Sequence, residues 1–287
     1  MTQAAGVLNQ RQKARQFHDL HHSGRLLILP NIWDSLGAML LENLGYPAVA
    51  TASASVAFSN GYDDGENIPF NALLTLLKKI AGSVQIPVSA DVESGYATDE
   101  VALKKNMRQL IETGIVGVNI EDTDKKTNSL VPVHVQSQRI KALREVAKEM
   151  DIPLFINART DVYTRGKGFD TSESKYDETL KRGLAYKAAG ADCFYPITLT
   201  SRDDIKKLIE QLHMPVNVVT IQGLPELSVL NEMGVARVSL GPSFLKIAIK
   251  SMKNLAMKLQ TYEGLSDITE NEITSAYLKD LVNKNYR

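Results

Sequence analysis

Three stretches decide how this chain folds: Pro87-Val88-Ser89-Ala90-Asp91-Val92-Glu93, Val116-Gly117-Val118-Asn119-Ile120-Glu121-Asp122 and Leu154-Phe155-Ile156-Asn157-Ala158-Arg159-Thr160-Asp161. Each is a short apolar run that ends in charged residues. Side chains at i and i+2 of a strand share a face, so Asp91 goes with Glu93, and Asn157 goes with Arg159. Strands that deliver carboxylates and an arginine from their C-terminal ends have the layout of an enzyme site at the mouth of a parallel barrel. The pattern predicts an oxygen-ligand metal site facing an anionic substrate.

Working outward, strand-like runs recur at 26–29, 48–51, 88–91, 117–121, 154–157, 192–195, 216–220 and 236–240, eight in all. Amphipathic helical stretches lie between them, at 34–44, 71–81, 99–113, 137–150 and 176–189. Strand–helix alternation argues a parallel sheet, and eight repeats argue closure into a (β/α)8 TIM barrel. Gly45, Gly114, Gly190 and Gly234 each follow a helical run, where a left-handed cap is wanted. Pro47, Pro87, Pro153 and Pro215 each open a strand, where a missing N–H is tolerated. No linker interrupts the pattern, so residues 1–287 are expected to form a single domain. It divides into a leader helix within 1–24, the barrel over 25–262, and a C-terminal tail over 263–287, helical from 270 to 282. The tail is either a solvated packing helix or an arm that docks on a neighbouring subunit.

Composition narrows the function. The chain has 287 residues, with Lys plus Arg equal to Asp plus Glu at 33 each. That balance creates no field favouring nucleic acid or anionic lipid. The single cysteine, Cys193, excludes an internal disulfide and a Cys/His zinc cluster, and reads as a buried core residue. No apolar run approaches the roughly 20 residues of a membrane span. Residues 1–9 lack the basic flank and apolar core of a secretory signal. A cytoplasmic location is expected.

Asp91, Glu93 and Glu121, with Asp64 from the loop Gly61-Tyr62-Asp63-Asp64-Gly65-Glu66, bring four carboxylates to one rim. Unpaired, they would repel one another. A hard divalent ion such as Mg²⁺, which keeps waters and takes few protein ligands, resolves the conflict. The plainer alternative is a salt-bridged pair at a strand end. Arg159 suits bidentate recognition of a carboxylate or phosphate, and equally an ion pair with Asp161 or Glu121. Asn217 is expected to point into the barrel, and His134 lies just beyond the 124–130 loop, within reach of the site on closure.

Four segments carry a family resemblance when taken together. Asp91-Val92-Glu93-Ser94-Gly95-Tyr96, Asn119-Ile120-Glu121-Asp122, Ile156-Asn157-Ala158-Arg159-Thr160-Asp161 and the early Ser53…Gly61-Tyr62-Asp63-Asp64 resemble, in order and spacing, the isocitrate lyase/phosphoenolpyruvate mutase superfamily over residues 20–250. The resemblance implies a (β/α)8 barrel with Mg²⁺ or Mn²⁺ as cofactor. It also implies a homo-oligomer, a tetramer built as a dimer of dimers, with the last helix exchanged between paired subunits. Asp91 would be the direct metal ligand, with Glu93, Glu121 and Asp64 holding metal-bound waters. Ser53-Ala54-Ser55 would offer backbone N–H groups and a hydroxyl to the substrate carboxylate. Arg159 would balance charge on an enolate oxygen. The implied chemistry is cleavage or formation of a bond next to the carbonyl of a small 2-oxo or 2-hydroxy carboxylate.

The gating loop separates the subfamilies. Isocitrate and methylisocitrate lyases carry a Lys-Lys-Cys-Gly-His loop with an acid/base cysteine. The matching stretch here, Asp124-Lys125-Lys126-Thr127-Asn128-Ser129-Leu130, has none. Lys126, Asn128 and Ser129 instead resemble the Lys-x-Asn-Ser flap of phosphoenolpyruvate mutase and phosphonopyruvate hydrolase. Three departures set the chain apart from the mutases: a stretch between Glu121 and Asn128 that is one residue shorter, Ile197 where they have a histidine after the sixth strand, and Glu93 as the second acid of Asp-x-Asp. The leading expectation is a metal-dependent lyase. The alternatives are a C–P mutase or hydrolase acting on phosphonopyruvate, and a non-catalytic 2-oxo-acid binding protein. A phosphate-binding barrel enzyme, using Gly223 and Gly241-Pro242-Ser243, is a further rival.

Overall fold

A computed structural model describes residues 8–284; the outer ends of the expected leader and tail segments, 1–7 and 285–287, lie outside the described residues. Eight parallel strand positions form the barrel. The first is broken by Pro30 into Leu27–Leu29 and Asn31–Ile32, and the others are Val49–Thr51, Val88–Asp91, Gly117–Glu121, Phe155–Thr160, Cys193–Pro196, Asn217–Val219 and Arg237–Ser239. Before Pro30 the first strand pairs with the last, Leu27 opposite Arg237. After it the strand pairs with the second, Asn31 opposite Ala50. The remaining seam is closed by a bridge between Phe194 and Val216. A closed ring has no edge to protect.

The helices lie outside the ring, at Ser35–Asn43, Phe70–Gly82, Glu100–Glu112, Val133–Glu149, Ser172–Ala188, Arg202–Leu212, Leu227–Glu232 and Ser243–Gln260. Side-chain caps set several starts. Asp34 accepts from the Gly37 N–H at 2.7 Å, and Asp99 from that of Ala102 at 2.8 Å. Gly114 (φ 96°) and Gly190 (φ 104°) make the expected left-handed stops. Two helices begin four residues earlier than their apolar periodicity suggests. One enters at Pro132, which can open a helix without an N–H, and the other at a reciprocal Thr171–Ser174 cap. The fifth strand runs on to Thr160, so that Arg159 lies within it.

The leader helix Gln10–His21 plugs the barrel floor. Ala14 and Phe17 are fully buried against Leu27, Leu29, Ala48, Ala50, Val116, Phe155 and Cys193. Phe17 meets Phe155 edge to face at 5.2 Å. Gly117 makes room for it, because a Cβ there would lie 2.8 Å from the Phe17 ring. Cys193 is a core residue, its thiol pushed up to about 12 by burial.

At the other end of the chain, helix Ser243–Gln260 buries none of its side chains and exposes Ile247, Met252 and Met257. The tail helix begins at Ser275 rather than 270, after a short helix Leu265–Thr269. It packs on Ser35–Asn43 of the same chain and buries Leu281. Among the described residues no helix is long and apolar enough to cross a membrane.

His21 gives the floor a pH dependence. Its ring stacks on Phe155 at 4.0 Å, and Nδ1 lies 2.8 Å from the Phe17 carbonyl. Burial, reinforced by the charge of Arg237, lowers its pKa from 6.5 to about 3. A depressed folded pKa gives stability that is complete above the unfolded value and is lost as pH falls. Relative to His21→Gln, the wild type is therefore expected to lose stability progressively as pH falls below 6.5 towards about 3. Urea unfolding of both proteins over that range checks this; parallel curves would exclude His21 as the source.

Candidate active site

Strand register stacks the polar side chains in two layers. Asp91, Asn119 and Asn157 stand opposite one another on three adjacent strands. Two residues further on, Glu121, Arg159 and Tyr195 do the same. Above them lies a cavity of about 230 Å³, whose lining includes Thr51, Ser53, Ala54, Asp64, Asp91, Asn119, Arg159, Tyr195, Ile197 and Arg237.

Asp91 is fixed on both oxygens. Oδ2 accepts from the Ser53 N–H (3.2 Å) and hydroxyl (3.0 Å). Oδ1 accepts from Asn119 Nδ2 (3.0 Å) and the Glu93 N–H (3.3 Å). Asn119 is held in turn by Asn157 Nδ2 at 3.0 Å. The strand stops at Asp91, so Glu93 does not share its face by strand parity. It arrives through a left-handed turn (φ 53°) and is buried. Glu66 ties this turn to the 61–66 loop: its N–H donates to Glu93 Oε1 at 2.8 Å, and its carboxylate accepts from Ser94 and from the Tyr96 N–H.

Two cations meet these acids. Lys125 Nζ lies 2.6 Å from both Glu93 and Glu121. Arg159 reaches Glu121 at 2.9 Å and Asp161 at 2.6 Å, and its Nε is buried without a partner. Burial opposes both charges, but Glu121 and Asp161 around Arg159, and Glu121 and Glu93 around Lys125, hold both side chains firmly protonated. Burial pushes the Glu93 carboxyl up to about 7 against the pull of Lys125, and pushes Glu121 upward as well. Asp161 is braced from behind, where Asp122 accepts from its N–H at 2.9 Å and from Thr160, Arg182 and Tyr186.

Asp91 and Asp64 have no ion-pair partner among the described residues. The Asp64 carboxyl is raised by burial and then by the charge of Asp91. Two facing carboxylates without a cation form a hard-oxygen donor set for Mg²⁺ or Mn²⁺. Among the described residues no three acidic, histidine or cysteine side chains enclose an ion by themselves. Mg²⁺ keeps several waters and takes one or two carboxylates, so Asp91 and Asp64 are the residues that would hold it.

The remaining sequence candidates divide. Ser53 and Ala54 line the cavity, while Ser55 sits within helix Ser53–Ser59, fully buried, with its hydroxyl unpartnered. Lys126, Asn128 and Ser129 do not reach the cavity. They belong to a hairpin of Thr123–Asp124 with Ser129–Leu130, whose turn is held by Asp124 Oδ1 accepting from the N–H groups of Lys126 and Thr127. Lys126 borders a separate cleft with Tyr96 and Arg139, and His134 lines a groove beside Lys181 and Arg182. Asn217 is fully buried and accepts from Ser239 at 3.1 Å. Lys125, Tyr195 and Arg237 were not singled out from the sequence. No periodicity marks Lys125, because Glu121 ends a strand and Lys125 lies in the turn of the hairpin that follows.

The family model described as phosphoenolpyruvate phosphomutase matches residues 17–260. The chain belongs to that family. It falls within the isocitrate lyase/phosphoenolpyruvate mutase superfamily, whose members are lyases and mutases acting on carboxylates. An uncharacterized protein of Mycobacterium tuberculosis is 34% identical over 225 residues, covering 78% of this chain and 81% of the relative. The 2,3-dimethylmalate lyase of Eubacterium barkeri is 25% identical over 281 residues, covering 94% and 93%. A phosphonopyruvate hydrolase solved with oxalate and Mg²⁺ superposes with a TM-score of 0.83 at 20% identity, covering 96% of both chains; at that identity the likeness speaks for the fold. The phosphoenolpyruvate phosphomutase family thus accounts for the barrel and for an enzymatic role.

Lys125 is the counter-charge of two buried acids, and removing one member of such a cluster leaves uncompensated charge. Lys125→Met is expected to lower the stability of the metal-free protein by about 3 kcal/mol. Urea denaturation with and without Mg²⁺ checks this, with partial recovery expected when the ion is added.

Proposed function

We propose that this protein is a Mg²⁺-dependent lyase that breaks or forms a C–C bond next to the carbonyl of a small 2-oxo or 2-hydroxy carboxylate. The observation that carries the reading is Asp91, fixed by four donors yet without a cation, at the wall of a cavity that also presents Arg159. Asp91 would hold the ion directly, with Asp64, Glu93 and Glu121 around its waters. Bound there, the ion supplies a Lewis acid for the substrate's carbonyl and carboxylate oxygens. Arg159, kept charged by Glu121 and Asp161, presents positive charge to the cavity in place of bulk water. Tyr195, whose phenol burial keeps protonated, is a hydrogen-bond donor on the cavity wall. Ile197 and Val219 add apolar lining that limits water.

The dimethylmalate lyase relative supports C–C chemistry. A C–P reading on phosphonopyruvate has one specific observation in its favour, the Lys126-Thr127-Asn128-Ser129 hairpin beside the site, which would serve as a closing flap. The exposed apolar side chains of helix Ser243–Gln260 support a homo-oligomer, a dimer of dimers, in which a second copy covers that helix. A cytoplasmic setting fits a chain with no membrane-spanning helix among its described residues.

The test is a panel with Mg²⁺: oxaloacetate, isocitrate, 2-methylisocitrate, 2,3-dimethylmalate and phosphonopyruvate, followed for 2-oxo acid, glyoxylate or phosphate. Turnover of a carbon substrate that disappears in a folded Asp91→Ala variant is the expected result. Phosphate from phosphonopyruvate alone moves the assignment to C–P cleavage. Tight binding without turnover leaves a binding protein.

A further inference from the structure

Arg237 lies across the ring from the Asp91 side. It belongs to the eighth strand, while Asp91 and Asn119 stand on the third and fourth. It is 2% exposed and lines the same cavity. Its Nε donates to Ser239 Oγ at 3.0 Å, and that hydroxyl donates to Asn217 Oδ1 at 3.1 Å. Two donors are then left over, since Arg237 Nη1 and Asn217 Nδ2 are buried without partners. A guanidinium so far from water normally sits against a carboxylate. Among the described residues Arg237 makes no ion pair. Its titratable neighbours do not supply one: Tyr195 and Cys193 are held protonated by burial, His21 is neutral, and Asp91 acts on it only from beyond ion-pair distance.

A buried cation without a counter-ion, at the wall of a cavity, is a site that lacks its anion. We infer that Arg237, oriented by Ser239 and Asn217, binds a second anionic group of the substrate, on the eighth-strand wall of the cavity. The inference rests on the proposed function for the orientation of the substrate, and it names the substrate class as a short 2-oxo or 2-hydroxy acid with a distal carboxylate or phosphonate. Arg237 then reads the distal group while Asp91 and Arg159 attend to the reacting end. Planar bidentate recognition explains why an arginine occupies this position.

The experiment measures dissociation constants calorimetrically for the full chain with Mg²⁺. The probes are 3,3-difluorooxaloacetate and phosphonopyruvate, which carry a distal anion, and 2-oxobutyrate, which does not. The wild type is expected to prefer the dianionic probes by about a hundredfold, the scale of a desolvated charge pair. Arg237→Gln should bring that ratio close to one, and Arg237→Lys should restore part of it. Loss confined to difluorooxaloacetate assigns the distal group as carboxylate, and loss confined to phosphonopyruvate assigns it as phosphonate. No preference in the wild type, or an undiminished one in Arg237→Gln, overturns the inference. Should Arg237→Gln not fold, the wild-type ratio and Arg237→Lys decide: an unchanged ratio in the lysine variant counts against a guanidinium-specific site. Asp91→Ala separates the two claims. Mg²⁺-independent binding that survives this change refutes the metal reading, whereas the probe ratio reports on Arg237 alone.

Discussion

The structure turns on one electrostatic constraint: several acids are gathered at a barrel mouth, with Glu93, Glu121 and Asp161 buried and Asp64 at its exposed rim. Like charges this close cannot all stay ionised without compensation. The chain supplies Lys125 and Arg159, which between them contact Glu93, Glu121 and Asp161. Asp64 and Asp91 are left over, and that imbalance is what the proposed divalent ion would correct. Strand register, the pinned 61–66 loop and the Asp122–Arg182–Tyr186 cluster all hold these groups in place. The arrangement is stiff by design, because a mobile acid would choose protonation over partnership.

The floor of the barrel answers a different need. A ring of eight strands leaves an opening at its lower end, and helix Gln10–His21 fills it with Phe17 rather than leaving it to water. Gly117 is the matching concession, since Phe17 occupies the space a side chain would need. Apolar packing below and charge compensation above divide the interior, with Arg237 and Asn217 near the boundary. That position makes their unpartnered donors informative: they are too deep for bulk water and too polar for the plug.

Most of the architecture could be read in the sequence because strand and helix periods alternate cleanly and glycine and proline mark the joints. Asp91, Glu121 and Arg159 were legible because each ends an apolar run. Strand parity puts Glu93 beside Asp91, but the chain brings it to that rim through a left-handed turn beyond the strand's end. Lys125 and Lys126 are adjacent and chemically alike, and only the fold of the hairpin selects which one turns inward. Arg237 and Ser239, unlike Asn217, are hidden for another reason. Inward-facing polar residues inside a strand look like the solvent face of an ordinary one, and closure of the ring is what reverses the meaning of the alternation.

Pro30 adds a consequence for how the protein is made. It divides the first strand between two partners, one at Ala50–Thr51 and one at Arg237–Ser239. The second half can pair soon after synthesis, whereas the first must wait for a segment more than two hundred residues later. Until then the nascent ring is an open sheet with two bare edges, and Phe17 and its helix have no completed floor to fill. The seam at Leu27–Leu29 is therefore the pairing that closes the longest stretch of chain in the ring, and the one whose ordering costs the most loop entropy before any contact repays it.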